Sequence, residues 1–522
     1  MHSGEKGYNP VARNRRIAGS IHISGEPSAD EGGRGAEAVV YHTLRETPWL
    51  GNEMAAQMKS AGSMRSLAEF RLIPRLETYP RAVSFAQTAP GKVALLAAFA
   101  LGSRYFLPDF FSTLPLTFIL ALITFMPEYR RFILAIAPIV FLVLKTFQDP
   151  LLLGASLAVI ALGIFLYWCV MRWPKSRFGQ RPVLYFLSSF TALILLACAV
   201  PPRSLLDLIL WALVGALASY LWFICYALAD RNSTPARDLT LEMETFHPVW
   251  GSTNTPFPKG AAYLRRIEAQ NPEQLAIVQL KGLKLLTWAI LLAVSQNLWN
   301  AFFHGYLRIP MPDQALAMSV QGTPVAWHLR WECQILAFFE IVFTFSIFGH
   351  RIISACRMAG FNALRNTYRP LSSTTLAEFF NRFYYYFKEL LVDFFFYPAF
   401  LRYWKKHRRL RMAFATFAAA FFGNSFYHIT RDWPIIRDAG LWKAITSYQV
   451  LFFYNAFLAA GLCVSQLRKR KPQPASFFRA RLLPAFGVGF FYCMLNVFDA
   501  DERMYPLLEH IKYLASLFFI HF

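Results

Sequence analysis

Charged residues are scarce in this chain, and acidic residues are scarcer than basic ones. Asp, Glu, Lys and Arg together make up 16% of the 522 residues, whereas a soluble protein of this size carries more charge. Hydrophobic residues reach 56%, with 51 Phe and 13 Trp. This composition suits a lipid-facing surface with aromatic anchors at the membrane edges. It argues against a soluble globular domain as the main body of the protein.

Paired cysteines are also lacking. The seven Cys show no CxxC spacing, their number is odd, and most lie inside apolar segments. This pattern argues against a disulfide framework and against a zinc site. We expect the cysteines to be small hydrophobic residues of the core, and we predict no metal-binding residues.

The first 90 residues lack the early apolar run that a signal peptide requires. They are polar, carry charges of both signs, and are Gly-rich in places. We predict that residues 1–90 form a cytoplasmic N-terminal region that is partly disordered. An amphipathic surface helix over Met54–Leu76 is the alternative, because Met54, Met58, Met64, Leu67 and Phe70 recur near helical spacing.

The formal net charge of +22 is large enough to suggest nucleic-acid binding. The basic residues concentrate in short loops between apolar segments, as the positive-inside rule describes for membrane proteins. We therefore expect a lipid bilayer as the partner of this surface and no nucleic acid.

Apolar runs of membrane-spanning length follow one another through the rest of the chain, where a span needs about 20 apolar residues. They predict an all-α, polytopic integral membrane helical bundle of about 11–13 spans, with a re-entrant or interfacial helix near 376–400. The candidate spans are 92–107, 109–126, 131–147, 150–172, 183–200, 204–229, 284–303, 328–350, 412–428, 441–464, 482–497 and 505–521.

Loop charges orient this bundle. A cytoplasmic N-terminus places the Lys- and Arg-rich loops inside and leaves the outer loops short or poor in charge. The C-terminus is then cytoplasmic too, and we expect a bacterial inner membrane. The chain divides into N-terminal transmembrane helices (91–229), a cytoplasmic loop (230–283) and a C-terminal transmembrane region (284–522).

The segment from Leu376 to His428 carries more polar residues than a simple span. On one continuous helix, Asn381, Tyr384, Tyr385 and Lys388 share a face, because they follow at i, i+3, i+4 and i+7. Such a polar stripe suits the wall of a wet cavity. An interfacial helix with an aromatic belt is the alternative.

His428 ends the next apolar helix, and Asn424 lies one turn before it on the same face. A histidine beside a membrane cavity can act as a general base, because its ordinary pKa lies near 6.5. The alternative is a histidine at the membrane edge that is bonded to a carbonyl or to water. Glu340 lies near the middle of another span, where a carboxylate is costly, so we expect it to be protonated, paired or beside a cavity.

The segment resembles the signature of the membrane-bound O-acyltransferase (MBOAT) family over residues 360–430. The run Phe379–Tyr384, Phe-Phe-Asn-Arg-Phe-Tyr, is similar to the family's first element, and Phe396-Tyr397-Pro398 stands where its Tyr-x-Pro belongs. His428 stands where the family has its essential His. Tyr384 occupies the position of the family's His, Asn or Asp, and Phe replaces both family tryptophans, so the resemblance is to a divergent member.

The resemblance implies acyl transfer from a thioester to a hydroxyl or amine of a glycan, lipid or small metabolite. The donor is then coenzyme A thioester or acyl carrier protein, with no permanently bound cofactor. Catalysis would fall to His428 as general base together with Tyr384. The expected substrate-binding residues are Asn381, Arg382, Lys388, Asn424 and Glu340.

The basic run Arg402–Arg411 lies between the two halves of this segment. It can meet the donor's phosphates or an acidic carrier, or serve only as a positive-inside anchor. A catalytically inactive membrane scaffold or transporter component remains the alternative function. An enzyme would have a tunnel from the cytoplasm to His428, whereas an inert protein would fill that space with side chains.

Overall fold

The computed structural model describes residues 72–107, 110–146, 149–230, 243, 250, 256–468, 476–499 and 505–520. Nearly all of the surface helix considered for Met54–Leu76 falls outside this part of the chain, as does the expected disorder before residue 72. Of the region 1–90, the described end forms a short 3₁₀ turn, Leu76–Thr78, and the beginning of the helical bundle.

The regular structure of the described residues is helical, apart from one antiparallel bridge between Glu268 and Phe361. The predicted all-α, multi-pass architecture is confirmed. Among the described residues, seven helices are long and apolar enough to cross a membrane. They are Pro150–Arg172, Pro182–Ala199, Leu205–Asp230, Pro272–Tyr306, Trp327–Met358, Gln449–Leu467 and Phe478–Asn496.

The other predicted spans are helical as well, but they are shorter or more polar. Ala89–Arg104 and Arg130–Thr146 contain 16 and 17 residues, and Thr113–Phe125 is a shorter apolar helix. The seven long helices are therefore fewer than the 11–13 spans predicted, because an apolar run does not fix how far a helix extends.

The helices of the N-terminal half are, in chain order, α1 (Pro80–Gln87), α2 (Ala89–Arg104), α3 (Phe110–Phe125), α4 (Arg130–Thr146), α5 (Pro150–Arg172), α6 (Arg177–Gln180), α7 (Pro182–Ala199), α8 (Leu205–Asp230), α9 (Ala261–Ile267) and α10 (Pro272–Asn300). Those of the C-terminal half are α11 (Pro312–Val320), α12 (Trp327–Met358), α13 (Leu376–Phe383), α14 (Tyr385–Leu391), α15 (Tyr397–Arg402), α16 (Arg408–Phe417), α17 (Asn424–Arg431), α18 (Trp433–Ala439), α19 (Leu441–Ser447), α20 (Gln449–Leu467), α21 (Leu483–Asn496) and α22 (Leu507–Ser516).

Local sequence explains where many of these helices begin. Asp149 and Asn271 cap α5 and α10 by accepting a hydrogen bond from the backbone N–H three residues later, and a proline follows each cap at the first helical position. Such a cap satisfies an N–H that has no partner within the helix, and proline loses nothing there. Thr375 caps α13 in the same way, through Glu378 N.

Helices α10 and α12 pack extensively against each other. Backbones approach closely at Gly282, where an added Cβ would lie 3.1 Å from the Ser354 carbonyl oxygen of α12. Gln279 of α10 donates to Thr124 Oγ1 of α3 at 2.8 Å and to the Met358 carbonyl at 3.0 Å. One buried amide thus joins three helices and leaves its nitrogen fully satisfied.

Among the described residues, four π-helical segments adjoin the α-helices, and in these segments the hydrogen bonds run from i to i+5. These segments are Ala301–Tyr306, Val392–Phe396, Ala418–Gly423 and Phe478–Leu482. π-Helical segments are rare in proteins overall, and those that occur are often found at functional sites. Three of the four contain or adjoin a polar residue considered below: His304, Asp393 and Asn424.

Candidate functional site

The helix predicted near 376–400 is not continuous, because it is interrupted at Tyr384. Helix α13 ends at Phe383 and α14 begins at Tyr385, while Tyr384 has φ −139° and ψ 72°. Asn381 therefore does not share one helical face with Tyr385 and Lys388. The predicted polar stripe is split between two helices.

The break exists because another segment satisfies the backbone on both sides of it. The carbonyl and the side-chain Oδ1 of Asn366 accept from Tyr385 N and Tyr386 N at 3.0 and 3.3 Å. On the other side, Thr367 Oγ1 donates to the Phe383 carbonyl at 2.7 Å. Buried backbone groups need such partners, and here a distant piece of chain supplies them.

Tyr384 is buried among aromatic rings. Its ring centroid lies 5.0 Å from that of Phe345, 5.3 Å from Phe387 and 6.1 Å from Phe257. Phe257 comes from the predicted cytoplasmic loop and is fully buried. The loop thus reaches the core beside the motif.

A series of ring contacts connects Tyr384 to His428. Phe387 lies 5.3 Å from Tyr384 and 4.6 Å from Tyr427, whose ring is 5.4 Å from the imidazole of His428. The two halves of the segment singled out from the sequence are therefore packed together. His428 itself is half-buried.

A close backbone approach makes this packing possible. A Cβ added to Gly423 would lie 2.7 Å from the ring of Phe395 and 3.1 Å from Leu391 Cδ2. Gly423 ends one π-helical segment and Phe395 belongs to another. Only glycine lets these two helices approach so closely.

Asn424 belongs to a buried hydrogen-bond network with α20. Its Nδ2 donates to Asn455 Oδ1 at 2.6 Å, and Asn455 Nδ2 donates to Ser425 Oγ at 2.9 Å. Asn424 Oδ1 has no partner among the described residues. Asn455 was not predicted from the sequence, although an asparagine inside an apolar span is itself a signal.

The two polar residues of α13 differ in their contacts. Arg382 pairs with Glu378 at 2.6 Å and donates to Ser372 Oγ at 2.7 Å. Asn381 is half-buried, and its Oδ1 has no hydrogen-bond partner in the described part of the chain. The side chain of Arg382 is thus fixed by contacts with its own helix and with the preceding turn. The side-chain oxygen of Asn381 is available to accept a hydrogen bond from a bound molecule.

Lys388 lies in a buried ion cluster, defined here as Lys259, Lys388, Glu389 and Asp393. Lys259 Nζ lies 2.5 Å from Glu389 Oε2 and 3.0 Å from Asp393 Oδ2, and Lys388 pairs with Glu389. Tyr226 of α8 donates to Asp393 Oδ2 at 2.9 Å. The cluster ties α8, the turn before α9 and the motif helices together.

Opposite charges hold this cluster ionised against the cost of burial. Burial alone would lower the pKa of Lys259, but the carboxylates of Asp393 and Glu389 outweigh it and raise the pKa above its ordinary value. Burial would raise the pKa of Glu389, but Lys259 and Lys388 lower it overall. An unpaired charge in this place would be very costly.

Sequence reasoning predicted Lys388 alone of this cluster. Glu389 and Asp393 are four residues apart in an otherwise apolar run, which is a recognisable sign of paired buried charge. Their partner Lys259 lies in a distant loop, where nothing local marks it. The location of Lys259 comes from the tertiary fold alone.

Glu340 is paired with His304, which is one of the three arrangements expected for a carboxylate inside a span. Its Oε1 lies 2.6 Å from His304 Nε2, and His304 Nδ1 lies 2.7 Å from the Ile309 carbonyl. His304 belongs to the π-helical segment Ala301–Tyr306. This pair joins α12 to the end of α10, and the described contacts of Glu340 are with that helix end.

The basic run forms an open cavity of about 580 Å³. Its lining residues are Trp404, Lys406, His407, Arg408, Arg409 and Leu410. Arg411 points back into the protein, donates to the Phe400 carbonyl and covers the Phe400 ring at 3.9 Å. The cavity can accept a multiply charged anion such as a phosphate.

We compared the sequence with known protein families and with curated protein sequences. No family profile matches the sequence, and no curated protein sequence matches it.

Proposed function

We propose that this chain is a membrane-embedded acyltransferase with His428 as general base. It would move an acyl group from a thioester donor to a hydroxyl or amine of a glycan, lipid or small metabolite. The observation that carries the proposal is the 4.6 Å contact between Phe387 and Tyr427. It packs α14, the helix that follows the run Phe379–Tyr384, against the residue next to His428. That run and His428 are the parts of the chain that resemble the O-acyltransferase signature.

In this proposal His428 takes the proton from the acceptor hydroxyl as its oxygen attacks the thioester carbonyl. The new C–O bond forms, the C–S bond breaks, and the proton passes from His428 to the leaving thiolate. A developing oxyanion needs donors already in place. The amide of Asn424 carries two protons, and its hydrogen bond to Asn455 fixes its orientation while using one of them.

The donor would be held from the side of the basic run. The cations that line the 580 Å³ cavity match the phosphates of coenzyme A or the acidic face of an acyl carrier protein. Coenzyme A thioesters and acyl carrier protein are both cytoplasmic, so either donor agrees with a basic run on the cytoplasmic side of the membrane. We accordingly propose that both termini are cytoplasmic and that the membrane is a bacterial inner membrane.

Site-directed variants in cells test the catalytic proposal. Lipids and glycans of cells with the gene are compared by mass spectrometry with those of cells lacking it or carrying His428→Ala. The acylated product should disappear in both the deletion and the variant. His328→Ala, an exposed histidine on α12, is the matched control and should retain the product at equal protein abundance.

A non-catalytic scaffold or transporter component gives the opposite result. His428→Ala would then restore every phenotype of the deleted gene at normal abundance. That outcome would overturn the enzyme proposal, because a general base cannot be removed without loss of the acylated product.

Cysteine labelling tests the proposed orientation. Lys406 and Asp438 are both exposed and lie beyond opposite ends of the helix that runs from Arg408 to Arg431. In intact cells, Lys406→Cys should resist a membrane-impermeant thiol reagent and Asp438→Cys should react. The reverse pattern would place the basic run outside and rule out a cytoplasmic donor there.

A further inference from the structure

A second cavity, of about 870 Å³, lies away from Tyr384 and His428. Its walls come from α12, α21, the turn Pro370–Ser373, Phe379 of α13 and the residues just after α22. This volume lies in the range of small-molecule sites, about 300–1,000 Å³. The lining is almost wholly aromatic or aliphatic, with Ser373 as its one hydroxyl.

Two tryptophans of α12 form an aromatic wall of the cavity, and the N–H group of each indole is already hydrogen-bonded within the protein. Trp327 Nε1 and Trp331 Nε1 both donate to the Leu517 carbonyl, at 2.7 and 3.0 Å. Their rings stack on Phe519 at 5.0 Å and on Phe490 at 5.8 Å. The indoles therefore present carbon to the cavity, and they hold the end of the chain against α12.

In a bilayer the opening of this cavity would face hydrocarbon. Its two long walls belong to the candidate spans Trp327–Met358 and Phe478–Asn496. On its rim Phe486 and Phe519 are 72% and 68% exposed, which in a bilayer places them among lipid chains. A stably bound water needs two to four polar partners, whereas the side chains of the lining offer only the hydroxyl of Ser373 as a strong hydrogen-bonding group, because both indole N–H groups are already bonded.

One polar group in the wall lacks a protein partner. Ser373 is 1% exposed, and its Oγ has no hydrogen-bond partner among the described residues. A buried hydroxyl is normally satisfied. An oxygen of a bound molecule placed beside Ser373 would supply the missing hydrogen-bond partner.

We propose that this cavity binds one acyl chain of a membrane phospholipid, with the ester carbonyl near Ser373. The apolar walls take the hydrocarbon, and the hydroxyl takes the single polar group that joins the chain to glycerol. Phe379, the first residue of the run that resembles the family signature, lines the cavity, but the two proposed catalytic residues Tyr384 and His428 do not. The lipid-binding proposal therefore does not rest on the acyltransferase proposal.

Photolabelling of the full-length protein in lipid nanodiscs tests this site. The probe is a phosphatidylcholine with a diazirine in the middle of one acyl chain, and peptide mass spectrometry locates the adducts. We expect adducts on the inner wall, at Phe338, Phe379 or Val488, which are largely buried from the bilayer. Adducts confined to exposed residues of the rim and the outer helix surfaces would overturn the proposal.

Two glycines of α21 provide a matched pair of variants. A Cβ at Gly489 would meet only Phe338, at 3.9 Å, whereas one at Gly487 would meet nothing within 4 Å. Gly489 lines the cavity and Gly487 does not. Gly489→Phe should abolish inner-wall labelling and Gly487→Phe should leave it unchanged.

The source of the chain is a separate arm of the same experiment. A free fatty acid with the same diazirine should label the inner wall less than the phospholipid does. Inner-wall labelling by the fatty acid alone would overturn the phospholipid assignment. Loss of acylation in His428→Ala has no bearing on either result, so this proposal and the acyltransferase proposal fail independently.

Discussion

The aromatic rings of Phe387 and Tyr427 lie 4.6 Å apart and tilted by 58°. This contact joins α14 to α17, so the motif helix and the histidine helix are held as one unit. Trp222 of α8 reinforces it from one side, stacked on Tyr427 at 6.2 Å. The separation between the motif and His428 therefore depends on side-chain packing, which single substitutions can alter.

A double-mutant cycle should detect this coupling. Phe387→Leu and Tyr427→Leu together should destabilise the protein by less than the sum of the single variants, with an interaction energy of about 0.5–1.5 kcal/mol. The measurement is the free energy of unfolding in detergent micelles. Tyr306, which is 78% exposed, supplies the control: Phe387→Leu with Tyr306→Leu should be additive. Coupling no greater than that of the control pair would contradict the packing described here.

Removal of Lys259 should be strongly destabilising. Lys259→Met leaves Glu389 and Asp393 buried with one cation fewer, and breaking a buried pair in this way costs about 3–5 kcal/mol. Lys406→Met, at an exposed position, should change stability by less than about 0.5 kcal/mol. Thermal stability followed by size-exclusion chromatography distinguishes the two variants. Equal melting temperatures would show that the ion cluster contributes nothing to the fold.

The same cluster should make stability depend on pH in the acid range. The pKa of Glu389 is lowered in the folded protein, so below the ordinary Glu value of about 4.3 the unfolded chain binds more protons. The stabilisation is complete above that value and is lost as the pH falls through the lower, folded-state pKa. Glu389→Gln should flatten this dependence. A steeper acid transition in the variant than in the parent would contradict the assigned direction.

Gly423→Ala should separate the two π-helical segments. The new methyl group would lie 2.7 Å from the Phe395 ring, and such overpacking costs about 1–3 kcal/mol. Gly154→Ala is the control, because a Cβ there meets nothing within 4 Å. Gly154 lies in the second turn of α5, and there the change should gain about 0.5–1 kcal/mol from helix propensity. Melting temperatures that move in the same direction for both variants would argue against a close approach at Gly423.

The helical class and many helix starts could be predicted from the sequence, because they depend on local signals. Long apolar runs mark spans, and Asp149 and Asn271 before proline mark helix starts. The break at Tyr384 could not be predicted in this way, because the groups that stabilise it belong to Asn366 and Thr367.

In the buried ion cluster, too, the sequence predicts some features and the tertiary fold determines the others. Glu389 and Asp393 can be recognised as unusual in their apolar run, but the sequence does not say what neutralises them. Lys259 does so from another segment, and Tyr226 adds a hydrogen bond from a third. Pairings of this kind are made by the tertiary fold, so local patterns predict the need for a partner and not its identity.

The π-helical segment Ala418–Gly423 has a consequence for the direction in which His428 points. A π-helical turn is an α-helix that holds one residue more than it needs. Each residue turns an α-helix by about 100°, so the extra residue rotates all that follows. Deleting one alanine from 418–420 would restore an unbroken α-helix and swing Asn424 and His428 together to another side of the bundle. The length of this one segment therefore decides which side of the bundle His428 faces.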